Sequence, residues 1–430
     1  MEQGIRDVMR ENRSLRRALA LTLASTILWG VAHIWTGRTR TGLTLAAGWL
    51  VLLSAAVTVL GNAPTLPLRR LDVVVDAGVV LAVVWVGVIV WSWLVIRPRR
   101  VRFGLPLLAV AGLCVLVAAP LGYAARLAYV SNEVVSTAFA ADDPAPEVAA
   151  PVAADPWAGR ERLNILLVGA DAAENRPGAR TDSMTVASVD TRTGESVLFS
   201  LPRNLQNVPV EGFPPAALLN EVFQWGEDHE ESGADLLKST VGDILGLDVD
   251  YYAMVDMRGF AQIINAMGGV TVTVRHDIVF GAYREGLIKA GTRRLNGTEA
   301  LWFGRSRTDS DDYQRMGRQK CLLNAVADQA DPLKVLRGFE RIADVTKRYV
   351  STDIPRSLVP DLIDLAPKVK EADITSLQFV PPLIRTGNPD WDLIKEKVAE
   401  ALGEHTRPVA ATPAAKPKAD KPVDLDRSCS

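Results

Sequence analysis

Leu163-Asn164-Ile165-Leu166-Leu167-Val168-Gly169 decides the fold. The run is short, almost wholly apolar and stopped by a glycine, which is the pattern of a strand buried on both faces. Downstream, Met184–Asp190 and Glu195–Leu201 flank Thr191-Arg192-Thr193-Gly194. Two strand-like runs around a Thr/Gly turn predict a hairpin. Helical periodicity follows at 215–225, 233–245 and 256–267, the last stopped by Gly268-Gly269. Glycine at that position is the usual end of a helix. Strands are expected at 251–255, 270–274 and 376–380. Further helices are expected at 297–303, 312–330, 333–348, 355–368 and 390–402. Mixed strands and helices predict an α/β domain, with a sheet layered against helices.

Outward from this domain, which occupies 161–403, the chain changes character. Residues 1–17 are polar and hold Arg6, Arg10, Arg13, Arg16 and Arg17. Apolar stretches follow at 18–35, 42–60, 73–96 and 103–129. About 20 apolar residues cross a bilayer as a helix, so 18–130 is read as an all-α transmembrane region of three or four helices. Arg97-Pro98-Arg99-Arg100-Val101-Arg102 is the strongest basic loop and is expected on the cytoplasmic side. Residues 103–129 then run outward and the α/β domain is extracytoplasmic. Counting back, a spanning 18–35 would put the N-terminal arginines outside. Three full spans, with 18–35 re-entrant or interfacial and 1–17 cytoplasmic, agree better with the charge rule. The outside placement of Arg69 and Arg70 goes against it. Repeated spans argue against a cleaved signal peptide. Residues 131–160 are rich in Ala, Pro, Asp and Glu and read as a linker, and 404–430 as a disordered tail.

Composition removes several functions. The 430 residues carry a net charge of −2, against the basic balance of a nucleic-acid binder. The mean hydropathy of +0.11 averages an apolar third with a soluble remainder. Three cysteines, Cys114, Cys321 and Cys429, show neither CxxC nor zinc spacing, so neither a disulfide framework nor a cysteine metal site is indicated. Four scattered histidines suggest no metal cluster. No P-loop, GxGxxG or GxSxG motif follows a strand.

Charge within the domain is ordered. Asp171 follows the first strand, just past its Gly. Arg180 and Asp182 stand just before the next strand, and Arg203 follows the third. Arg305 and Arg307 end a helix, and Arg315, Arg318 and Gln319 begin another. Arginine grips phosphate bidentately and stays charged. Two aspartates among these arginines suit a hard cation shared with phosphate oxygens. Singly, each aspartate reads more readily as a turn or cap residue and each arginine as a solvated ion pair; it is their number at element ends that favours a phosphate site. Phe213, Leu218, Leu219, Val222, Phe223 and Trp225 are read as core or as a groove for an isoprenoid tail.

The same residues resemble the LytR-CpsA-Psr (LCP) family of cell-wall ligases over about 160–330. The resemblance rests on Gly169-Ala170-Asp171, Arg180-Thr181-Asp182-Ser183-Met184, Leu201-Pro202-Arg203, Tyr251-Tyr252, Gly259-Phe260, Met267-Gly268-Gly269-Val270, Leu295–Leu301, Arg305-Ser306-Arg307 and Arg315–Gln319. It implies an LCP-type layered domain with a central mixed sheet flanked by helices. It implies a membrane-anchored enzyme of a Gram-positive bacterium, working outside the cytoplasm; many members carry one span, so the three or four read here, a multi-pass anchor, are a departure. Its action would be to transfer a glycopolymer from an undecaprenyl-(pyro)phosphate carrier to peptidoglycan through a phosphodiester. By motif, Asp171 and Asp182 would hold Mg²⁺ or Mn²⁺. Arg180, Arg203, Arg305, Arg307, Arg315 and Gln319 would hold phosphate. Asp171, Asp182, Arg203 and Arg305 would be catalytic, and Arg318 structural. The polyprenyl chain would lie between sheet and helices. The chain departs from the family at Asn204, where Asp is usual, and at Leu218-Leu219-Asn220, where Lys-Ile-Asn is frequent. Two other readings use the same residues, a polyprenyl-pyrophosphate phosphohydrolase and a non-catalytic polyprenyl-phosphate-binding regulator.

Overall fold

A computed structural model describes residues 2–62, 71–97, 104–139, 156–157, 159–171, 180–229, 232–281, 283–307, 312–329, 343–403 and 423–424. The chain divides into two compact units, Met1–Glu133 and Val134–Ser430.

The first unit is helical. It contains α1 (Glu2–Ile27), α2 (Val31–Trp35), α3 (Thr39–Asn62), α4 (Leu71–Ile96) and the start of α5 (Leu105–Ala138). Among the described residues three helical segments are long and apolar enough to cross a membrane: Thr39–Val57, Val75–Ile96 and Leu105–Ala138. The stretch 18–35 is not one helix. Its first part continues α1 from the polar N-terminal segment, and the chain breaks before Gly30, which holds φ 95°. A side chain there would strike the Gly42 carbonyl oxygen at 2.1 Å. Trp29 stacks on Trp49 at 5.3 Å, and Trp85 meets Trp49 edge-on at 4.7 Å. The Trp85 indole N–H donates to the Thr26 carbonyl at 3.0 Å. Helix α5 runs to Ala138, so the segment expected to be linker begins as helix; residues 140–155 lie outside the described ones.

The second unit is built on a mixed seven-stranded sheet in the order β11-β10-β3-β2-β1-β4-β9. Its strands are β1 (Arg162–Asp171), β2 (Arg180–Asp190), β3 (Ser196–Leu201), β4 (Tyr251–Asp256), β9 (Val350–Thr352), β10 (Ile374–Gln378) and β11 (Val423–Asp424). β1 pairs antiparallel with β2 and parallel with β4. Two short ribbons stand apart: β5 (Val270–Val274) with β8 (Gly291–Leu295), and β6 (Ile278–Phe280) with β7 (Gly286–Ile288). The β2–β3 turn closes because the Asp190 carboxylate accepts from the backbone N–H groups of Arg192 and Thr193, at 2.9 and 2.7 Å.

The pleat assigns alternate residues to opposite faces. Leu166, Val168, Met184, Val186, Val197, Phe199 and Leu201 join one core, with α6 (Val222–Asp228), α7 (Gly233–Leu245) and α12 (Trp391–Ala401). The residues between them face α8 (Met257–Ala266), α9 (Gly297–Arg305) and α10 (Asp312–Gln329). α11 (Val359–Glu371) precedes β10.

Several expectations are revised. The second strand starts at Arg180, so Arg180 and Asp182 lie in it rather than before it. Residues 215–218 are a turn and an irregular segment; a 3₁₀ turn at Leu219–Glu221 leads into α6. The strand expected at 376–380 is Ile374–Gln378. Of the helix expected at 333–348, residues 343–348 belong to a helical stretch, 343–349, and the rest lie outside the described residues. The tail is not wholly without structure, because Val423–Asp424 pairs with Thr375–Ser376 as a sheet edge. Its other residues, 404–422 and 425–430, are not described. Cys321 is disulfide-bonded, which cysteine spacing did not indicate, and Cys114 is free.

Candidate functional site

The site begins at an irregularity. In the β1–β2 ladder Gly169 pairs with Ser183 and Ala170 with Thr181, so Asp182 is an extra residue without a partner across the strand. This is a β-bulge, which breaks the alternation locally and re-aims a side chain. Gly169 is part of the same device: a side chain there would sit 2.5 Å from the Ser183 hydroxyl. Asp171 closes β1 opposite Arg180. Both aspartates therefore come to one end of the same strand pair.

Each carboxylate is held by an arginine from another element. The Arg203 guanidinium, just past β3, bonds the Asp182 carboxylate. Arg305, the last residue of α9, bonds Asp171 at 3.0 Å. Its guanidinium also lies 5.7 Å from the centre of the Trp302 ring. Arg315 is buried, 3% exposed, and donates to the backbone carbonyl of Asp182 at 2.9 Å. A buried guanidinium needs such partners, and this one fixes the bulge from outside the hairpin. Arg315 also lies in the first turn of α10, where the helix field favours anions.

Behind this charged end is a cavity of about 290 Å³ between sheet and helices. Asp182, Arg305, Arg315 and Gln319 line it. The sheet contributes Leu167, Thr185, Leu198, Ser200, Ala253 and Val255 among others, and the helices contribute Phe260, Ala300, Leu301, Met316 and Leu323. Thr185 and Ser200 share a hydroxyl hydrogen bond of 3.0 Å across the ladder, so these two side chains satisfy each other. Lys320 is also on the wall. Burial lowers its ammonium pKa, and the positive charge of Arg275 lowers it further.

Not every residue singled out in the sequence joins this group. Arg180 and Arg307 are exposed and do not line the cavity. Arg318 donates to the carbonyls of Phe303, at 2.7 Å, and Ser306, so it ties α10 to the end of α9. The groove reading of Phe213, Leu218, Leu219, Val222, Phe223 and Trp225 is corrected. None of them lines the cavity, and five of them pack in the core on the opposite face of the sheet. Phe213 and Trp225 meet edge-on at 5.4 Å there. Sequence reasoning missed the cavity wall itself. Leu167, Leu198 and Ala253 carry no chemical signal, and only the pleat shows which face they take. Beside Arg203, the side-chain carbonyls of Asn204 and Asn220 are buried and have no hydrogen-bond partner among the described residues. The Asn220 N–H donates to the Arg203 carbonyl at 3.0 Å.

The model of the LytR_cpsA_psr family matches residues 128–396. The chain belongs to this family. Among curated relatives, it is 27% identical over 239 residues to the polyisoprenyl-teichoic acid–peptidoglycan teichoic acid transferase TagT of Bacillus subtilis (strain 168), covering 53% of this chain and 69% of the relative. It is 30% identical over 207 residues to the TagU transferase of the same description from Oceanobacillus iheyensis, covering 47% and 62%. It is 29% identical over 201 residues to the regulatory protein MsrR of Staphylococcus aureus (strain COL), covering 46% and 58%. Less than two thirds of the TagU and MsrR chains is matched.

Among the described residues no group of three His, Cys, Asp or Glu side chains could hold a metal ion. A pair of carboxylates on neighbouring strands is nonetheless a sufficient protein share for a cation that takes its other ligands from phosphate and water.

Proposed function

We propose that this LCP-family chain is a membrane-anchored phosphotransferase. It would take a glycopolymer from a polyprenyl-(pyro)phosphate carrier and join it to peptidoglycan through a phosphodiester, on the extracytoplasmic side. One observation carries the reading: a single cavity has an apolar interior and an end lined by Arg305, Arg315, Gln319 and Asp182. An isoprenoid phosphate has the same two-part chemistry. The teichoic acid transferases among its relatives support the direction of transfer.

In this reading the polyprenyl chain lies against Leu167, Leu198, Ala253 and Phe260, and the phosphates meet the arginines. Arg203 and Arg305, now bound to carboxylates, are placed to turn their donors to phosphate oxygens. Arg315 keeps the bulge, and with it Asp182, in position. Asp171 and Asp182 would hold Mg²⁺ or Mn²⁺, which when bound supplies charge neutralisation at the phosphates. The acceptor hydroxyl attacks phosphorus; a new O–P bond forms as the bond to the departing polyprenyl phosphate breaks, and the hydroxyl proton is released.

The test is turnover of a polyprenyl-pyrophosphate-linked saccharide by the full chain, with and without peptidoglycan. Transfer only when acceptor is present is expected. Release of free saccharide in both arms would instead identify a hydrolase. Binding with no product in either arm would identify a regulator, as the name of the MsrR relative suggests for that protein. Arg203→Ala should cut transfer about 10²–10³-fold, the usual loss for one donor at developing charge. Undiminished transfer by that variant would sink the proposal.

A further inference from the structure

Trp302 stands on the last turn of α9, between Leu301 of the cavity wall and Phe303 of the apolar core, and belongs to neither. It is partly exposed. The Arg305 guanidinium lies over its ring, and the Phe280 ring stacks on it with centroids 5.7 Å apart and planes 24° apart. Phe280 closes β6, and the residue paired with it on β7 is Gly286. A side chain at 286 would meet the Phe280 ring at 2.2 Å, so the ring occupies the place that side chain would take. An aromatic laid over a strand glycine pins the register of a ribbon. The ribbon is also fastened to the end of α9. The Ser306 hydroxyl donates to the Val279 carbonyl at 3.0 Å, and Ile278 and Ile288 are buried with Ala300 and Phe303. Gly286, Phe280, Trp302 and Arg305 therefore form one stack, which ends on the guanidinium bonded to Asp171 at 3.0 Å.

We propose that Trp302, backed by Phe280, is a positioning residue for Arg305: it holds the guanidinium at the charged end while the N–H groups exchange the Asp171 carboxylate for a substrate phosphate. The inference rests on the reading of that end as the phosphate site. Arginine binds in two separate ways, through N–H donors directed in its plane and through its charge over an aromatic face. A hold of the second kind leaves the donors available to oxygen acceptors, and Arg305 makes both contacts at once. Its side chain is 39% exposed. A long, exposed side chain loses rotamer freedom when a ligand orders it. Holding it on a ring beforehand removes part of that cost from binding. The β6–β7 ribbon thus acts on the charged end without touching the ligand.

The experiment is calorimetric titration of the full chain in detergent with polyprenyl monophosphate. The variants are Trp302→Met, Trp302→Tyr, Arg305→Ala and the double variant of Trp302→Met with Arg305→Ala. Trp302→Met should weaken binding about two- to fivefold, the worth of one cation–π contact at a partly exposed site. Trp302→Tyr keeps an aromatic face and should recover most of that loss. In the Arg305→Ala background Trp302→Met should cost nothing more, because the ring acts only through that guanidinium. A ring that merely packs would cost the same in both backgrounds. An equal loss in both, a tyrosine variant as weak as the methionine one, or wild-type affinity of Trp302→Met would each overturn the positioning role. The phosphate site would survive those results so long as Arg305→Ala itself binds weakly. Wild-type affinity of Arg305→Ala would sink both. Phe280→Leu, which removes the backing ring, serves where Trp302→Met does not fold: its loss should likewise vanish in the Arg305→Ala background, and a loss that persists there would overturn the proposal.

Discussion

The two faces of the seven-stranded sheet are made from the same strands and are packed in opposite ways. On one, Val197, Phe199 and Leu201 meet Leu219, Leu237 and Ile244, and the space is filled. On the other, Leu198 and Ser200 of the same strand face a void, together with Gly169, Ala253 and Ala300. Large side chains at one parity and several small ones at the other produce a solid core and a cavity from one pleat. The filled face supplies stability, and the open face gives up some of it for room to bind.

The largest expected effect is on the filled face. Phe199→Ala should lower stability by about 3–5 kcal/mol, the range for deleting a buried aromatic. Denaturant unfolding of the full chain checks it; a cost under about 1 kcal/mol would show that this face is not tightly filled. On the open face, Ala253→Leu adds volume where there is space. Stability should move by less than about 1.5 kcal/mol, while polyprenyl-phosphate affinity falls at least about tenfold, or 1.4 kcal/mol. Equal affinity in a calorimetric titration would mean the chain lies elsewhere.

A smaller effect tests the hairpin that carries both faces. Thr193's backbone N–H, helped by that of Arg192 and by the charge of Arg162, holds the Asp190 carboxyl below the usual range against an opposing contribution from burial. A depressed carboxylate stabilises the fold above its unfolded pKa, and that contribution disappears as pH falls through the folded pKa. Asp190→Ala should therefore cost about 0.5–1.5 kcal/mol at neutral pH, and unfolding curves of variant and wild type should converge in acid. The smallest effect concerns Lys320. Its folded pKa is lowered by burial and then by Arg275, so the ammonium is disfavoured in the fold. Stability should rise as pH climbs from the folded to the unfolded pKa of this lysine. Lys320→Met should melt slightly above wild type at neutral pH, and the gap should close at high pH. A gap that widens with pH would reverse the sign of this argument.

Much of the fold could be read from residue order. The run at 163–169, the turn at 191–194 and the amphipathic stretch at 233–245 each have a local cause. The Asp190 turn and the Ser232 cap, whose hydroxyl accepts from the Asp235 N–H at 3.3 Å, act over two or three residues. What could not be read is non-local. β11 exists through its pairing with Thr375–Ser376, and β9 is a three-residue strand on β4. Arg203, Arg305 and Arg315 were legible as candidates by residue type. Their arrangement around Asp182 depends on three separate elements meeting one bulge. Phe213 and Trp225 illustrate the converse limit. Apolar residues on a helix mark a buried face, but not which side of the sheet buries it.

The bulge at Asp182 has a consequence for engineering and for reading variation in this hairpin. Because strand parity is counted in twos, the extra residue puts everything before it out of phase with everything after it. A one-residue deletion at Asp182 would close the bulge and keep Gly169 opposite Ser183 and Ala170 opposite Thr181, so the faces of the sheet survive and only the carboxylate at the charged end is lost. The extra residue therefore serves the site and not the sheet.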